Sequence, residues 1–164
     1  MDDFLNRFNE EEEVDLQYMK YLTFSIDGRT FAFPIKDVVE IVEVQEPMPV
    51  PEFPEYVKGI INTKGRVVPV IDLRLRFQLQ EVEYNDRTCI ILASISSVEI
   101  GFIVDSVKSV IEVEEEMLAP PPAITTDKVT RYITGVAKYE KDLIIILDAK
   151  KILDEKGLNL VSDL

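Results

Sequence analysis

Residues 57–72 read VKGIINTKGRVVPVID. Two apolar runs rich in β-branched residues flank a polar turn at residues 62–66, and this pattern predicts a β-hairpin whose loop contains Gly65. Pro69 lies inside the second run. Because proline cannot donate a ladder hydrogen bond, we expect it at an edge or bulged position of the sheet.

The same pattern returns 76 residues later in the chain. The positions that recur at this spacing are Tyr56 and Tyr132, Gly59 and Gly135, and Asp72 and Asp148. Residues 32–44 similarly match residues 101–113 at a spacing of 69. The difference in spacing falls in proline-rich connectors at residues 47–54 and 120–122, where length changes are tolerated. Chance periodicity in a β-rich sequence is the alternative, but the matches favour an internal duplication.

The remaining patterns extend these two β units. Alternation predicts a hairpin over residues 22–35 with a turn at Gly28, and further strands are predicted at residues 87–95, 99–104, 133–138 and 143–147. Helical spacing is clear mainly over residues 148–155. We therefore expect an all-β chain with short helices, divided into a first half at about 18–86 and a second at about 87–147. Two such halves would meet along a seam, where binding clefts are common.

Composition excludes several classes of function. The 164 residues carry a net charge of −13, which disfavours nucleic acid as a partner. The chain has no histidine and one cysteine, Cys89, so imidazole catalysis, histidine phosphotransfer and zinc–thiolate clusters are not expected. Cys89 lies in an apolar run and is interpreted as a buried hydrophobe. We expect no cofactor, no metal site and no membrane insertion.

Part of the negative charge is local. Residues 1–17 contain seven acidic side chains against Arg7, and such a block tends to stay solvated. We interpret residues 1–17 as a flexible acidic tail, residues 18–153 as the folded unit and residues 156–164 as a C-terminal tail. A docking peptide within residues 1–17 is the alternative.

Asp72 and Asp148 are the only enzyme-like signal. One aspartate per repeat resembles the paired carboxylates of aspartic proteases. However, neither lies in an Asp-Thr/Ser-Gly turn, and each ends a strand and opens an amphipathic segment. We predict that both cap helix N-termini and that the chain is not an enzyme.

Residues 57–74 resemble the central signature of the CheW family of bacterial chemotaxis coupling proteins. The flanking segments agree in the family's order, so the resemblance covers roughly residues 18–153. It implies two tandem SH3-like five-stranded β-barrels. It also implies a non-enzymatic cytoplasmic adaptor that links the cytoplasmic tip of methyl-accepting chemoreceptors to the regulatory domain of the histidine kinase CheA. We expect a monomer in isolation that is recruited to membrane-associated receptor arrays.

The resemblance also implies site residues. The receptor-binding groove between the barrels would include Val38, Gly59, Lys64, Val107 and Val110. Glu40 and Val67 would lie near the kinase contact. The CheA regulatory domain has the same fold as the family and can alternate with it around a ring, and Leu118 and Ile124 would lie in a loop at the second contact of that ring. The family usually has Asn-Leu-Arg-Gly where this chain has Asn62-Thr63-Lys64-Gly65, so the charge is kept but the bidentate fork of arginine is lost. A duplicated peptide-binding module acting outside chemotaxis is the alternative function.

Overall fold

The computed structural model describes residues 18–121, 130–153, 157 and 159–160. The predicted acidic tail at residues 1–17 and the predicted contact residue Ile124 lie outside these residues. In the described part of the chain there are eleven strands and two short α-helices, α1 and α2, in a predominantly β fold. The strands are β1 Tyr18–Ile26, β2 Arg29–Pro34, β3 Val38–Glu43, β4 Val57–Thr63, β5 Arg66–Asp72, β6 Cys89–Ile95, β7 Val98–Val104, β8 Ser106–Glu114, β9 Leu118–Ala119, β10 Ile133–Tyr139 and β11 Asp142–Leu147; the helices are α1 Leu73–Arg76 and α2 Ala149–Ile152.

The strands form two sheets. Sheet 1 has the order β8-β1-β2-β11-β10-β9, and sheet 2 has the order β3-β6-β7-β5-β4. The sequence repeat relates five strands of sheet 1, in the order β8, β1, β2, β11 and β10, to the strands β3, β6, β7, β5 and β4 of sheet 2. Equivalent strands therefore have the same order in both sheets. Each sheet contains one parallel pair at the equivalent place, β2 with β11 and β5 with β7. The duplication predicted from the sequence is therefore visible in the topology.

The predicted division near residue 86 does not coincide with the division between the sheets. Sheet 1 takes β1 and β2 from the first repeat and its other strands from the second, while sheet 2 takes β3, β4 and β5 from the first and β6 and β7 from the second. The two repeats thus exchange strands instead of folding side by side. The exchange is possible because either copy of a repeat can supply the equivalent strand to a sheet.

The apolar faces form three buried clusters. Sheet 1 and sheet 2 each enclose a small one, around Ile111 and Ile146 in sheet 1 and around Ile90 and Val70 in sheet 2. The largest, which we call the central cluster, includes Phe24, Phe33, Ile91, Phe102 and Leu147 and lies between the sheets. The seam between the two sheets is therefore filled by shared apolar core.

The equivalent tyrosines of the repeat meet at this seam. The guanidinium carbon of Arg76 lies 4.0 Å from the ring centre of Tyr56 and 5.0 Å from that of Tyr132. Its Nε donates a hydrogen bond of 2.6 Å to the carbonyl of Ile152 in α2. One cation from α1 therefore contacts matching positions of both repeats, an arrangement that favours cation–π attraction.

Pro69 lies on β5, which is internal and pairs with β4 and β7, and it stands next to an irregularity of the β4–β5 register between Val57 and Gly59. The N–H and C=O of Ile60, opposite Pro69, both bond to Met48, so the backbone nitrogen of Pro69 points away from β4. On that side, pairing with β7 begins only at Val70. The proline is therefore tolerated because it precedes the parallel ladder.

Candidate partner-binding surface

A charged cluster joins the β4–β5 turn to β3. The two-residue turn has positive φ at both Lys64 (51°) and Gly65 (79°), the conformation of tight hairpin turns. This turn brings Lys64 Nζ to 2.7 Å from Glu40 Oε1. Arg66 lies 3.7 Å from the other Glu40 oxygen and 3.2 Å from Glu99. The structure thus brings together Lys64, expected in the receptor groove, and Glu40, expected at the kinase contact.

The exposure of the two partners differs strongly. The side chain of Glu40 is 11% exposed, whereas that of Lys64 is 60% exposed. The carboxylate is therefore covered by its cations, and the lysine presents positive charge to solvent. A partner bearing carboxylates could approach this lysine while Glu40 stays neutralised by Arg66.

Gly59, also expected in the receptor groove, packs tightly against backbone. Its φ is 151°, and a Cβ built there would lie 2.1 Å from the carbonyl oxygen of Met48. Met48 and Ile60 exchange two backbone hydrogen bonds of 2.8 and 2.9 Å at this point. Glycine is required because the chain before β4 crosses directly over it.

The three valines of the expected groove line the seam. Val38 lies on β3 and is 6% exposed, within the central cluster. Val107 and Val110 lie on β8 and pack against the same cluster while remaining half-buried. Both strands are at sheet edges, and the two valines on β8 keep surface available to a partner.

The other expected contact residues lie elsewhere. Val67 on β5 is 55% exposed and follows Arg66 of the charged cluster. Leu118 on β9 is half-buried against the small cluster of sheet 1. Leu143, which the sequence analysis missed, is 62% exposed and occupies the position equivalent to Val67 in the other repeat. The spacing of 76 residues was the signal that could have identified it.

Asp72 and Asp148 have the predicted capping role. The Oδ1 atom of Asp72 accepts a hydrogen bond of 2.9 Å from the N–H of Arg74, and Asp148 accepts the same bond from Lys150. Burial raises the pKa of Asp72, although its hydrogen bonds and Lys58 oppose the shift. Each carboxylate is bound within its own helix cap, so the two do not form a shared catalytic pair.

The described residues offer neither a metal site nor a membrane-spanning helix. In residues 18–121 and the described parts of 130–160, no group of three or more Asp, Glu, Cys or His side chains is placed to hold a metal ion. Within the same residues, no helix is both long enough and apolar enough to cross a bilayer. Cys89 is half-buried and its thiol donates to the carbonyl of Arg87.

The sheet topology defines a class of protein, two SH3-like β-barrels that exchange strands. The model of the CheW-like domain matches residues 20–157, and the chain belongs to the CheW family of chemotaxis scaffold proteins. It is 36% identical to the chemotaxis protein CheW of Bacillus subtilis over 138 residues, covering 84% of this chain and 88% of the relative. It is 31% identical to that of Treponema pallidum over 155 residues, covering 92% and 91%.

A solved structure agrees with this assignment. The scaffolding protein TtCheW of Thermoanaerobacter tengcongensis superposes with a TM-score of 0.78 at 34% identity, covering 85% of this chain and 95% of that one. The predicted all-β double-barrel class and the predicted role as a chemotaxis adaptor are both confirmed by these similarities. They favour that role over a peptide-binding module acting outside chemotaxis.

Proposed function

We propose that this chain joins the cytoplasmic tip of a methyl-accepting chemoreceptor to the regulatory domain of the histidine kinase CheA. The similarity to chemotaxis adaptors along nearly the whole of both chains carries the proposal. The protein acts as a cytoplasmic monomer until receptor arrays recruit it. Residues 18–153 form the adaptor unit, with residues 1–17 and 156–164 as its tails.

The receptor tip binds at the seam. Val107 and Val110 supply half-buried apolar surface on β8, and Lys64 supplies exposed positive charge on the β4–β5 turn. A helical tip placed there would use the helix-in-groove mode, with apolar anchors at the seam and acidic side chains toward Lys64. Val38 supports the seam from within the core.

The kinase regulatory domain binds next to this surface. Val67 is an exposed apolar side chain beside Arg66, and Arg66 shares the carboxylate of Glu40 with Lys64. One ion-pair cluster therefore lies between the two proposed contacts. Leu118 and Ile124 belong to the second ring contact. Signalling requires that receptor conformations differ in their binding free energy for the assembled complex.

Two separate binding measurements test this proposal. Isothermal titration calorimetry is carried out with a receptor cytoplasmic fragment and with the CheA regulatory domain, each at tens of micromolar, a range suited to weak contacts (about 10⁻⁶ to 10⁻⁵ M). We expect the wild-type chain to bind both. Failure to bind either partner would contradict the proposal.

A matched pair of variants locates the kinase contact. Val67→Asp should weaken binding of the kinase domain and leave receptor binding unchanged. Val82→Asp is the control, because Val82 is similarly exposed, at 48% against 55% for Val67, but belongs to neither proposed contact. Equal effects of the two substitutions on kinase-domain binding would mean that Val67 is not part of the kinase contact.

A further inference from the structure

The chain passes between the two sheets at two equivalent places. The first crossover runs from β2 through the 3₁₀ turn Ile35–Asp37 into β3, and the second runs from β7 through Asp105 into β8. The spacing of 69 residues relates the two crossovers. The residues at the two crossovers nevertheless differ in the side chains available for hydrogen bonding.

Asp105 is the centre of a hydrogen-bonded clamp at the second crossover. Arg74 donates to it twice, from Nε to Oδ1 at 2.8 Å and from Nη2 to Oδ2 at 2.6 Å. The backbone N–H of Asp27, in the β1–β2 turn, donates to Oδ2 at 2.8 Å. The N–H of Asp105 donates to the carbonyl of Ser25 at 3.1 Å. The clamp therefore ties α1, which follows sheet 2, to a turn of sheet 1.

The clamp is well shielded from solvent. The side chain of Arg74 is 14% exposed and that of Asp105 is 27% exposed. Arg74 also donates to the carbonyl of Gln80 and lies 3.8 Å from the carboxylate of Asp27. Partial burial raises the pKa of Asp105, but the hydrogen bonds from Arg74 and from the Asp27 N–H outweigh burial and lower it. Bidentate arginine–carboxylate pairs of this kind fix geometry as well as adding attraction.

The first crossover lacks the residues for such a clamp. The positions equivalent to Asp105, Arg74 and Asp27 are Lys36, Lys150 and Ser96. Two lysines repel each other, so this pair cannot replace the arginine–aspartate fork. The duplicated molecule is thus asymmetric at its two crossovers.

The second crossover leads directly into β8, the strand that carries Val107 and Val110. Val107 is two residues beyond Asp105, and within the described residues β8 pairs only with β1. The β1–β8 register is irregular between Leu22 and Phe24, opposite Val110 and Val107. Thr23 and Ser109 exchange hydrogen bonds across this irregularity. The start of β8 thus lies between the clamp at Asp105 and its pairing with β1, where the hydroxyls of Ser25 and Ser106 are 2.7 Å apart.

We propose that Arg74 and Asp105 form a positioning pair that sets the place of Val107 and Val110 for receptor binding. This inference rests on the proposed receptor contact. The pair acts through β8 and does not itself contact the receptor. It fixes one edge of the seam, and its loss lets the first residues of β8 shift without unfolding either sheet.

The experiment compares Arg74→Gln and Asp105→Asn with Lys150→Gln, the same type of change at the equivalent of Arg74. Affinities for a receptor cytoplasmic fragment and for the CheA regulatory domain are measured by calorimetry. Methyl NMR of Val107 and Val110 reports their positions, and thermal unfolding reports the fold. We expect receptor affinity to fall about tenfold, within the usual range for coupled residues, with both valine signals shifted. Kinase affinity should change less than about twofold, and Lys150→Gln should match the wild type in every measurement.

The inference is overturned if both valine signals stay in place, or if receptor and kinase affinities fall together. If either variant fails to unfold cooperatively, Arg74→Lys takes its place, because lysine keeps the charge and loses the fork. This variant should shift the valine signals and weaken receptor binding less than Arg74→Gln does. A wild-type chain that binds no receptor fragment would contradict the proposed function, while the valine signals would still test the clamp.

Discussion

Glu40 links β3 to the β4–β5 hairpin through two ion pairs. Its carboxylate is largely buried and accepts one cation from the β4–β5 turn and another from the first residue of β5. Sequence alone identified Glu40 and Lys64 through the family resemblance but not their contact, because the pairing depends on how β3 and the hairpin close sheet 2. The pairing of Arg74 with Asp105 could not be predicted from sequence, because the contact joins residues 31 positions apart and requires the crossover geometry.

Lys64→Glu tests the exposed cation of the cluster. We expect receptor affinity to fall about tenfold or more, because the variant presents a negative charge where a positive one faced the partner. Stability should fall by more than the loss of an exposed ion pair (about 1 kcal/mol), because the new carboxylate faces the largely buried Glu40, but unfolding should stay cooperative. Calorimetric titration and thermal unfolding measure the two effects. Lys141→Glu, in the β10–β11 turn, is the control and should bind normally. Loss of cooperative unfolding in Lys64→Glu would show instead that the lysine is structural.

Gly59→Ala tests the close approach of Met48. The added Cβ would collide with backbone that cannot move aside, so we expect a loss of about 2–3 kcal/mol in the free energy of unfolding. Gly65→Ala is the control, because it has positive φ but open space around it, and it should cost about 1 kcal/mol or less. Urea unfolding measures both. Equal costs would mean that backbone conformation, and not crowding by Met48, explains the glycine.

At the scale of elements, the hairpin strands and the helix starts followed local sequence closely, whereas β3 Val38–Glu43 and β8 Ser106–Glu114 were not predicted as strands. Alternation located the hairpins, and each aspartate at a strand end proved to be a helix cap, because both patterns depend on neighbours in the chain. The helix predicted over residues 148–155 is observed as Ala149–Ile152 after the Asp148 cap, while residues 154 and 155 lie outside the described part. The edge position considered for Pro69 is not observed, because its tolerance depends on where β7 begins to pair, which is a long-range property.

The two caps differ in burial, and this difference predicts different responses to substitution. Asp148→Ala should cost about 1 kcal/mol through loss of the cap. Asp72→Ala should cost a similar amount, but Asp72→Asn should be at least as stable as wild type at neutral pH, because asparagine keeps the cap and removes a buried charge. Chemical unfolding of the three variants measures this order. A strongly destabilised Asp72→Asn would show that the charge itself is needed.

The raised pKa of Asp72 also predicts a pH dependence. Between the ordinary carboxyl pKa of about 4 and the raised folded-state value, the folded chain retains a proton that the unfolded chain has lost. The contribution of Asp72 to stability therefore decreases as the pH rises through this range. The difference in unfolding free energy between wild type and Asp72→Asn, measured from pH 4 upward, should grow in favour of the variant. A constant difference would contradict the raised pKa.

At the scale of the whole molecule, the duplication could be recognised from sequence, whereas the exchange of strands could not. A repeat identifies which strands are equivalent but not which copy joins which sheet, because both arrangements give each strand the same kind of neighbours. The exchange makes each barrel depend on both repeats and fills the seam with a shared core. The two barrels are therefore expected to behave as one unit that holds its two partner surfaces in a fixed relation.

The proposed function requires that one copy of this chain hold a receptor tip and a kinase domain at the same time. The direct measurement immobilises the CheA regulatory domain and passes a receptor cytoplasmic fragment over it, with and without the chain. We expect the fragment to be retained only when the chain is present, in proportion to the amount of chain bound. Absence of retention, or displacement of the chain from the kinase domain by the receptor fragment, would contradict it.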